Sequence, residues 1–261
     1  MGRLLPFDPI GAKGINTYAR RINPHRLLNR ELIWLWEHRC TAHGVPYSQH
    51  PNCFFDDLDA GDLQRCPIEE RIGFFDIEAT SVKGANWGEL LSYAAKPLDG
   101  LAHGSLITQR DIRTKRWDQG LCRNLIRDMS RYDRLVVYWG KDRRFDLPFV
   151  RSRCLWYEVR APENEKHLYR FPEYMEMYVE DLYDTARAKL CLSNRRMETV
   201  AKFLDVPAKE HRFNHETWRD AQAGDKAALE TIWIHNLEDV DTTEAVWKLL
   251  HRFMPKRKTS I

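Results

Sequence analysis

The chain has 261 residues, with 41 Lys and Arg against 38 Asp and Glu for a formal net charge of +3; that length buries one large core, or one domain with a small appendage. Hydrophobic residues make up 43% and charged residues 30%, with a mean hydropathy of −0.60, a balance that excludes disordered and membrane-embedded classes. No apolar run approaches the roughly 18 residues of a membrane helix, and the opening MGRLLPFDPIGAKG is broken by Pro, Asp and Gly where a secretory leader is continuous, so a cytoplasmic protein is expected.

Taken in chain order, residues up to about 70 combine proline, histidine, cysteine and short polar stretches around one helical segment, Leu27 to Arg39, where Leu28, Leu32, Ile33, Leu35 and Trp36 recur at helical spacing. Strands are expected at Arg71–Ile77, Glu89–Ala95 and Gly104–Gln109, with the PLDG segment turning the chain between the last two. Short loops between three successive strands predict an antiparallel meander. An amphipathic helix over Trp117–Met129, a buried strand over Arg134–Trp139 (RLVVYW) and a helix over Asp146–Trp156 come next, then a strand within Tyr174–Leu182. The remainder reads as helix: Asn194–Leu204, Glu216–Ala221 and a long stretch from Lys226 to Phe253. This order predicts an α/β fold, a mixed sheet with helices on its faces. The domain boundaries expected are 1–68 for an N-terminal arm and Cys/His-containing appendage, 69–254 for the main domain and 255–261 for a basic tail.

Three segments carry the chemistry. In Phe74-Phe75-Asp76-Ile77-Glu78-Ala79-Thr80 two acids at a two-residue spacing share one face of a strand end, where like charges repel unless a cation neutralises them; the alternative is a solvated strand end. In Tyr138 to Val150 a buried strand ends in a glycine-containing loop, and Asp146 opens a helix, with Pro148 tolerated in its first turn. Asp146 is either an acid aimed at the sheet by the flanking Phe145 and Phe149, or an ordinary helix cap. In Trp233 to Asp241 the four-residue spacing puts His235 and Asp239 on one helix face. Asp76, Glu78, Asp146 and Asp239 together offer hard oxygen ligands suited to Mg²⁺ or Mn²⁺. Two such ions about 4 Å apart activate water and stabilise the leaving oxygen in phosphodiester cleavage. His235, ordinarily titrating near pH 6.5, is placed to take the proton of that water.

With these residues in view, the chain resembles the DEDD 3′-to-5′ exonucleases: FFDIEAT is similar to their first motif, FDLPFV to the second and HNLEDV to the third, over about residues 71–253. The resemblance implies a ribonuclease-H-like domain in which Asp76, Glu78, Asp146 and Asp239 bind two metal ions and His235 orients or deprotonates the attacking water. One departure is the spacing. His235 precedes Asp239 by four positions, the interval of the tyrosine-type branch, so the frame is tyrosine-type with histidine in the tyrosine position, similar to ribonuclease-H-like exonucleases of microbes and their viruses. On a helix the one-residue difference turns a side chain by about 100°.

The implied activity is exonucleolytic hydrolysis of single-stranded nucleic acid, DNA more than RNA, with a replication or repair protein as the kind of partner; a structure-selective endonuclease and a non-catalytic nucleic-acid- or partner-binding module are the alternatives. Thr80, Lys141, Arg143 and Arg144 are candidate substrate contacts, the three cations as phosphate holders or else as solvated surface charge. Trp87, Trp139 and Phe149 are either stacking surfaces for bases or core. Near-neutral overall charge does not exclude such a substrate, because residues 101–160 carry fourteen basic and seven acidic side chains and residues 1–53 seven and three. No GxxxxGK[ST] loop or GxSxG elbow occurs, so nucleotide hydrolysis and serine-hydrolase chemistry have no support.

The six cysteines, at 40, 53, 66, 122, 154 and 191, are read as reduced thiols in an intracellular chain. Cys40, His43, His50 and Cys53 form two Cys/His pairs at the short spacing of a structural Zn²⁺ site, with Cys66 able to substitute; the alternative is a loop of free thiols and surface imidazoles. The basic arm of Arg20, Arg21, Arg26 and Arg30 beside it is a candidate nucleic-acid contact.

Overall fold

The computed structural model describes residues 27, 29–60, 63, 66, 68, 70–172, 177–207 and 214–253. Arg20, Arg21, Arg26 and the tail at 255–261 lie outside the described residues. The described residues divide into two compact units, one within 27–71 together with 177 and 178, the other of Ile72–Pro172 and residues 179–253.

In the N-terminal unit two helices, α1 (Asn29–Glu37) and α2 (Pro51–Ala60), flank a hairpin closed by an antiparallel bridge between Arg39 and Pro46. Of the apolar stripe expected in α1, Leu35 is fully buried among Tyr47, Phe54, Phe55 and Ile68, with Trp34 packed against the same group, whereas Ile33 and Trp36 are exposed. Helix α2 was not expected. Its opening proline needs no amide hydrogen at the first helical position, and Phe54 and Phe55 give it the buried side that orders it.

The larger unit is built on five strands, β1 (Ile72–Ala79), β2 (Leu90–Pro97), β3 (His103–Leu106), β4 (Arg134–Val137) and β5 (Tyr178–Asp181), in the spatial order β3-β2-β1-β4-β5. Pairing of β1 with β2 and of β2 with β3 is antiparallel, as the short loops predict, and β4 returns parallel to β1. The helices are α3 (Gln109–Arg113), α4 (Gln119–Met129), α5 (Asp146–Glu158), α6 (Leu182–Lys189), α7 (Met197–Phe203), α8 (His215–Gln222) and α9 (Lys226–Leu250).

Alternation along β1 decides the layers. Phe75 faces the same side as Tyr93, whose hydroxyl donates to the Asp128 carboxylate of α4 at 2.7 Å. Phe74 faces the opposite side, edge-on to Trp247 of α9 at 5.6 Å between ring centroids, in a core shared with Val136, Leu182, Val200, Val240 and Leu250. By the two-residue period Asp76 and Glu78 also face α9. Removing a buried phenylalanine of this kind costs about 3–5 kcal/mol.

Helix α9 runs for 25 residues, about 37 Å at 1.5 Å per residue. Its start is sharp: Gly224 takes the left-handed φ of +85° that ends α8, and the Asp225 side chain then accepts from the Ala228 amide at 2.9 Å. Several element ends differ from expectation because tertiary bonds set them. Trp117 takes a left-handed φ of +49° and Asp118 is drawn inward, so α4 begins at Gln119 rather than Trp117. Strand β4 stops at Val137 because Trp139 turns to φ +64° and gives its amide to Asp181 at 2.9 Å. The strand expected within Tyr174–Leu182 is β5, and Leu182 directly after it opens α6, which Asp181 caps through the Tyr183 amide.

Candidate active site

The acids of β1 sit at the centre of the sheet, beside α9. Asp76 pairs in register with Ala94, and Glu78 with Ser92, with a register shift just after Glu78. The Asp76 carboxylate is held from above: the Nδ2 of Asn236, a fully buried residue of α9, donates to its Oδ2 at 2.6 Å, while Asn236 Oδ1 accepts from the Ser92 hydroxyl at 3.3 Å. One turn of the same helix carries His235 and Asp239, whose Nε2 and Oδ2 lie 3.4 Å apart. Ligand atoms of Glu78, His235 and Asp239 all fall within 4.8 Å of one another.

Asp146 approaches from the other direction. It is the first residue of α5 and does not cap that helix; Phe145 occupies the cap position. Its carboxyl is buried, and its Oδ2 has no hydrogen-bond partner. Burial first, then the charges of Asp76, Glu78 and Asp181, push the Asp146 carboxyl well above the usual carboxylate range. The space it occupies exists because residue 140 is glycine: a Cβ there would lie 2.4 Å from Asp146 Oδ2. The Gly140 carbonyl also accepts the Leu147 amide at 2.9 Å, tying the loop to the first turn of α5.

Asp181, at the end of β5, organises that loop. Its two oxygens accept from the backbone amides of Trp139 and Lys141 at 2.9 and 3.0 Å and pair with the Arg144 guanidinium at 2.6 Å. Arg144 also bonds Asp184 and lies 4.5 Å over the Tyr183 ring. Lys141 and Arg143 are exposed, and Trp139 presents half its surface to solvent. Trp87 is mostly exposed in the loop after β1, whereas Phe149 is buried. Thr80 closes that loop: its amide donates to the Glu89 carbonyl at 2.8 Å, its hydroxyl oxygen accepts the Glu89 amide at 2.9 Å, and its carbonyl accepts from Gln222 of α8.

Sequence reasoning did not single out Asn236, Ser92, Gly140 or Asp181. Asn236 had a legible signal, a polar side chain inside the apolar register of a long helix. Gly140 and Asp181 had none, because their role is set by neighbours far away in the chain.

The donor chemistry fits divalent metal. A buried carboxylate with an unpaired oxygen, facing two further carboxylates, is disfavoured without compensating charge, and carboxylate oxygen ligands match Mg²⁺ or Mn²⁺. The N-terminal unit holds a second and chemically different cluster, in which the ligand atoms of Cys40, His43, His50 and Cys53 lie within 4.8 Å of one another. Cys66 is outside it, with its Sγ directed to the Ile68 carbonyl. Cys40 lies near pH 6: burial acts to raise its thiol, but is outweighed by hydrogen bonds from the Val45 backbone, His50 and His43. Burial, followed by the neighbouring Cys40, raises the Cys53 thiol.

A sheet ordered β3-β2-β1-β4-β5, with acids toward the end of its central strand β1 and helices on both faces, defines a ribonuclease-H-like nuclease fold. The RNase H superfamily model matches residues 73–251, and the chain belongs to that superfamily. Among solved structures it is similar to the family B DNA polymerase of the hyperthermophilic archaeon Pyrobaculum calidifontis, at 21% identity and a TM-score of 0.55 over 73% of this chain. The matched region spans only 26% of that polymerase. No curated protein matches the sequence. Among the described residues no helix is long and apolar enough to cross a membrane.

Proposed function

We propose that this chain is a metal-dependent 3′-to-5′ exonuclease that hydrolyses phosphodiester bonds at the ends of single-stranded nucleic acid, DNA in preference to RNA. The observation that carries the reading is the enclosed Asp146 carboxylate, one oxygen without a hydrogen-bond partner, facing the charges of Asp76 and Glu78. The polarity rests on the resemblance of FFDIEAT, FDLPFV and HNLEDV to the three motifs of the DEDD exonucleases.

Asp76, Glu78, Asp146 and Asp239 are the residues that would hold two Mg²⁺ or Mn²⁺ ions. When bound, such a pair neutralises charge on the phosphodiester and lowers the pKa of an attacking water. The chain's own groups do the remaining work. Asn236 holds the Asp76 carboxylate in one orientation. His235, in contact with Asp239, accepts the proton of the attacking water at neutral pH. Lys141 and Arg143, exposed on the loop before α5, are the phosphate contacts of this reading. Arg144, engaged by Asp181 and Asp184, supports the same loop from beneath.

The test is digestion of a 5′-labelled single-stranded oligonucleotide. Wild-type protein with Mg²⁺ or Mn²⁺ is expected to produce a ladder of stepwise shortened products, abolished in Asp76→Ala and in Asp146→Asn. A ladder unchanged by both substitutions refutes the site. Cleavage of a circular single strand as fast as a linear one refutes the exonuclease assignment in favour of an endonuclease. Parallel RNA and duplex DNA substrates read out the preference.

A further inference from the structure

We infer that the N-terminal unit is organised around one structural Zn²⁺, bound by the Sγ atoms of Cys40 and Cys53 and the Nδ1 atoms of His43 and His50. Its ligands are residues other than the acids of the site described above.

The geometry is that of a coordination sphere. Cys40 Sγ lies 3.7 Å from His43 Nδ1 and 3.5 Å from His50 Nδ1, and Cys53 Sγ lies 3.3 Å from His43 Nδ1. In a tetrahedron with Zn–S of about 2.3 Å and Zn–N of about 2.05 Å, the sulfur-to-nitrogen edge is about 3.5 Å. Hydrogen bonding alone does not account for the set. His43 Nδ1 is approached by both sulfurs, and a neutral ring nitrogen accepts along one lone pair only.

The backbone presents the four donors in two preformed pairs. Cys40 and His43 come from the tip of the hairpin, where the Gly44 amide donates to the Cys40 carbonyl at 2.9 Å and Gly44 takes a left-handed φ of +65°. Arg39 fixes the same turn by donating to the Gly44 carbonyl at 2.8 Å. His50 and Cys53 come from the start of α2, where the His50 carbonyl accepts the Phe54 amide at 3.3 Å. With two sulfurs and two imidazoles the sphere is closed, which is the arrangement of a structural rather than a catalytic zinc.

The cluster is also part of the core. Cys40 and Cys53 are buried members of the same apolar group as Leu35, Tyr47, Phe54, Phe55 and Ile68. So small a group does not stabilise a unit by hydrophobic burial alone. Metal binding here is therefore coupled to folding of the unit.

The experiment uses the full chain. Purified protein is expected to carry close to one zinc by elemental analysis; His43→Ala and Cys53→Ser are expected to lose it, while Cys191→Ser, which alters an exposed cysteine outside the cluster, keeps it. Because those ligand variants can fail to fold, metal-free wild type is also titrated with Co²⁺. A saturable one-to-one rise of tetrahedral ligand-field bands with thiolate-to-cobalt charge transfer, reversed by added Zn²⁺, supports the site. Absence of those bands, full zinc retention in Cys53→Ser, or a Cys40–Cys53 disulfide in protein purified under reducing conditions overturns it.

Discussion

Replacing Gly140 by alanine tests the positioning of Asp146 without altering any acid. The added Cβ would lie 2.4 Å from Asp146 Oδ2, 3.1 Å from its Cγ and 2.9 Å from the Val137 Cβ. Ordinary carbon-to-oxygen contacts settle near 3.3 Å, so the carboxylate must withdraw by about 0.9 Å. Val137 is fully buried in the sheet and gives little, which leaves Asp146 as the group that moves. A displacement near 1 Å in a reacting assembly lowers turnover by about 100-fold, equivalent to roughly 2.7 kcal/mol in the barrier. The same crowding costs about 1–3 kcal/mol of folding stability. The assay is single-turnover digestion of a labelled oligonucleotide across an Mg²⁺ titration, beside a urea unfolding curve. The expected result is a folded Gly140→Ala protein with turnover down about 100-fold and a raised Mg²⁺ half-saturation. A folded variant that digests within twofold of wild type refutes the argument that Asp146 is held in place by the absence of a side chain at 140.

Other consequences follow from the buried polar groups. Asn236→Ala removes the donor to Asp76 Oδ2 and is expected to weaken Mg²⁺ affinity or turnover about 10- to 100-fold, with a loss of about 1–3 kcal/mol in stability because its buried partners are left unsatisfied; a metal titration of the folded variant that superimposes on wild type refutes the orienting role. Asp118 is fully buried and accepts two bonds from Arg153 at 2.8 and 2.6 Å, one from the Tyr157 hydroxyl at 2.6 Å and one from the Leu90 amide at 2.9 Å. Asp118→Ala strands the Arg153 charge and is expected to cost about 3–5 kcal/mol; loss of under 1 kcal/mol in urea unfolding contradicts that.

Glu244 gives a pH prediction away from the site. Burial acts to raise its carboxyl, but bonds from Lys96, the Asp99 amide and Lys248 outweigh it and hold the pKa below the usual glutamate range. A depressed folded-state pKa contributes stability that is present above the unfolded value and is lost as the pH falls through the folded value. Glu244→Gln is therefore expected to flatten the acid side of the stability profile below about pH 5, where the unfolded carboxyl begins to protonate. An unchanged acid slope in urea midpoints measured from pH 3 to 7 refutes the assignment.

The basic loop before α5 shows how charge is divided by its surroundings. Lys141, Arg143 and Arg144 are indistinguishable in composition, yet Arg144 is enclosed between Asp181, Asp184 and the Tyr183 ring while the other two face solvent. Arg143 takes a left-handed φ of +68°, so the loop reaches its shape at some backbone cost. Asp181 offsets that cost by accepting the Trp139 and Lys141 amides.

What the amino-acid sequence determined by itself is whatever depends on local period and spacing. Alternation around FFDIEA places Asp76 and Glu78 on one strand face; short loops fold β1, β2 and β3 into an antiparallel meander; and the four-residue interval brings His235 to Asp239. The pairing of Cys40 and His43 with His50 and Cys53 was legible for the same reason, since each pair spans one turn of backbone. Tertiary structure alone decided the rest. Whether Asp146 caps its helix or aims inward depends on the room left by Gly140 and on the loop that Asp181 holds from 40 residues away. That Asn236 orients Asp76 is decided by the seating of α9 on the sheet, across 160 positions of chain. Element ends at Trp117 and Trp139 were set by a buried carboxylate nearby, not by propensity. The physical reason is common to all of these: a hydrogen bond or a steric gap between distant segments is worth a few kcal/mol, more than the fraction of a kcal/mol by which neighbouring residues bias their own conformation.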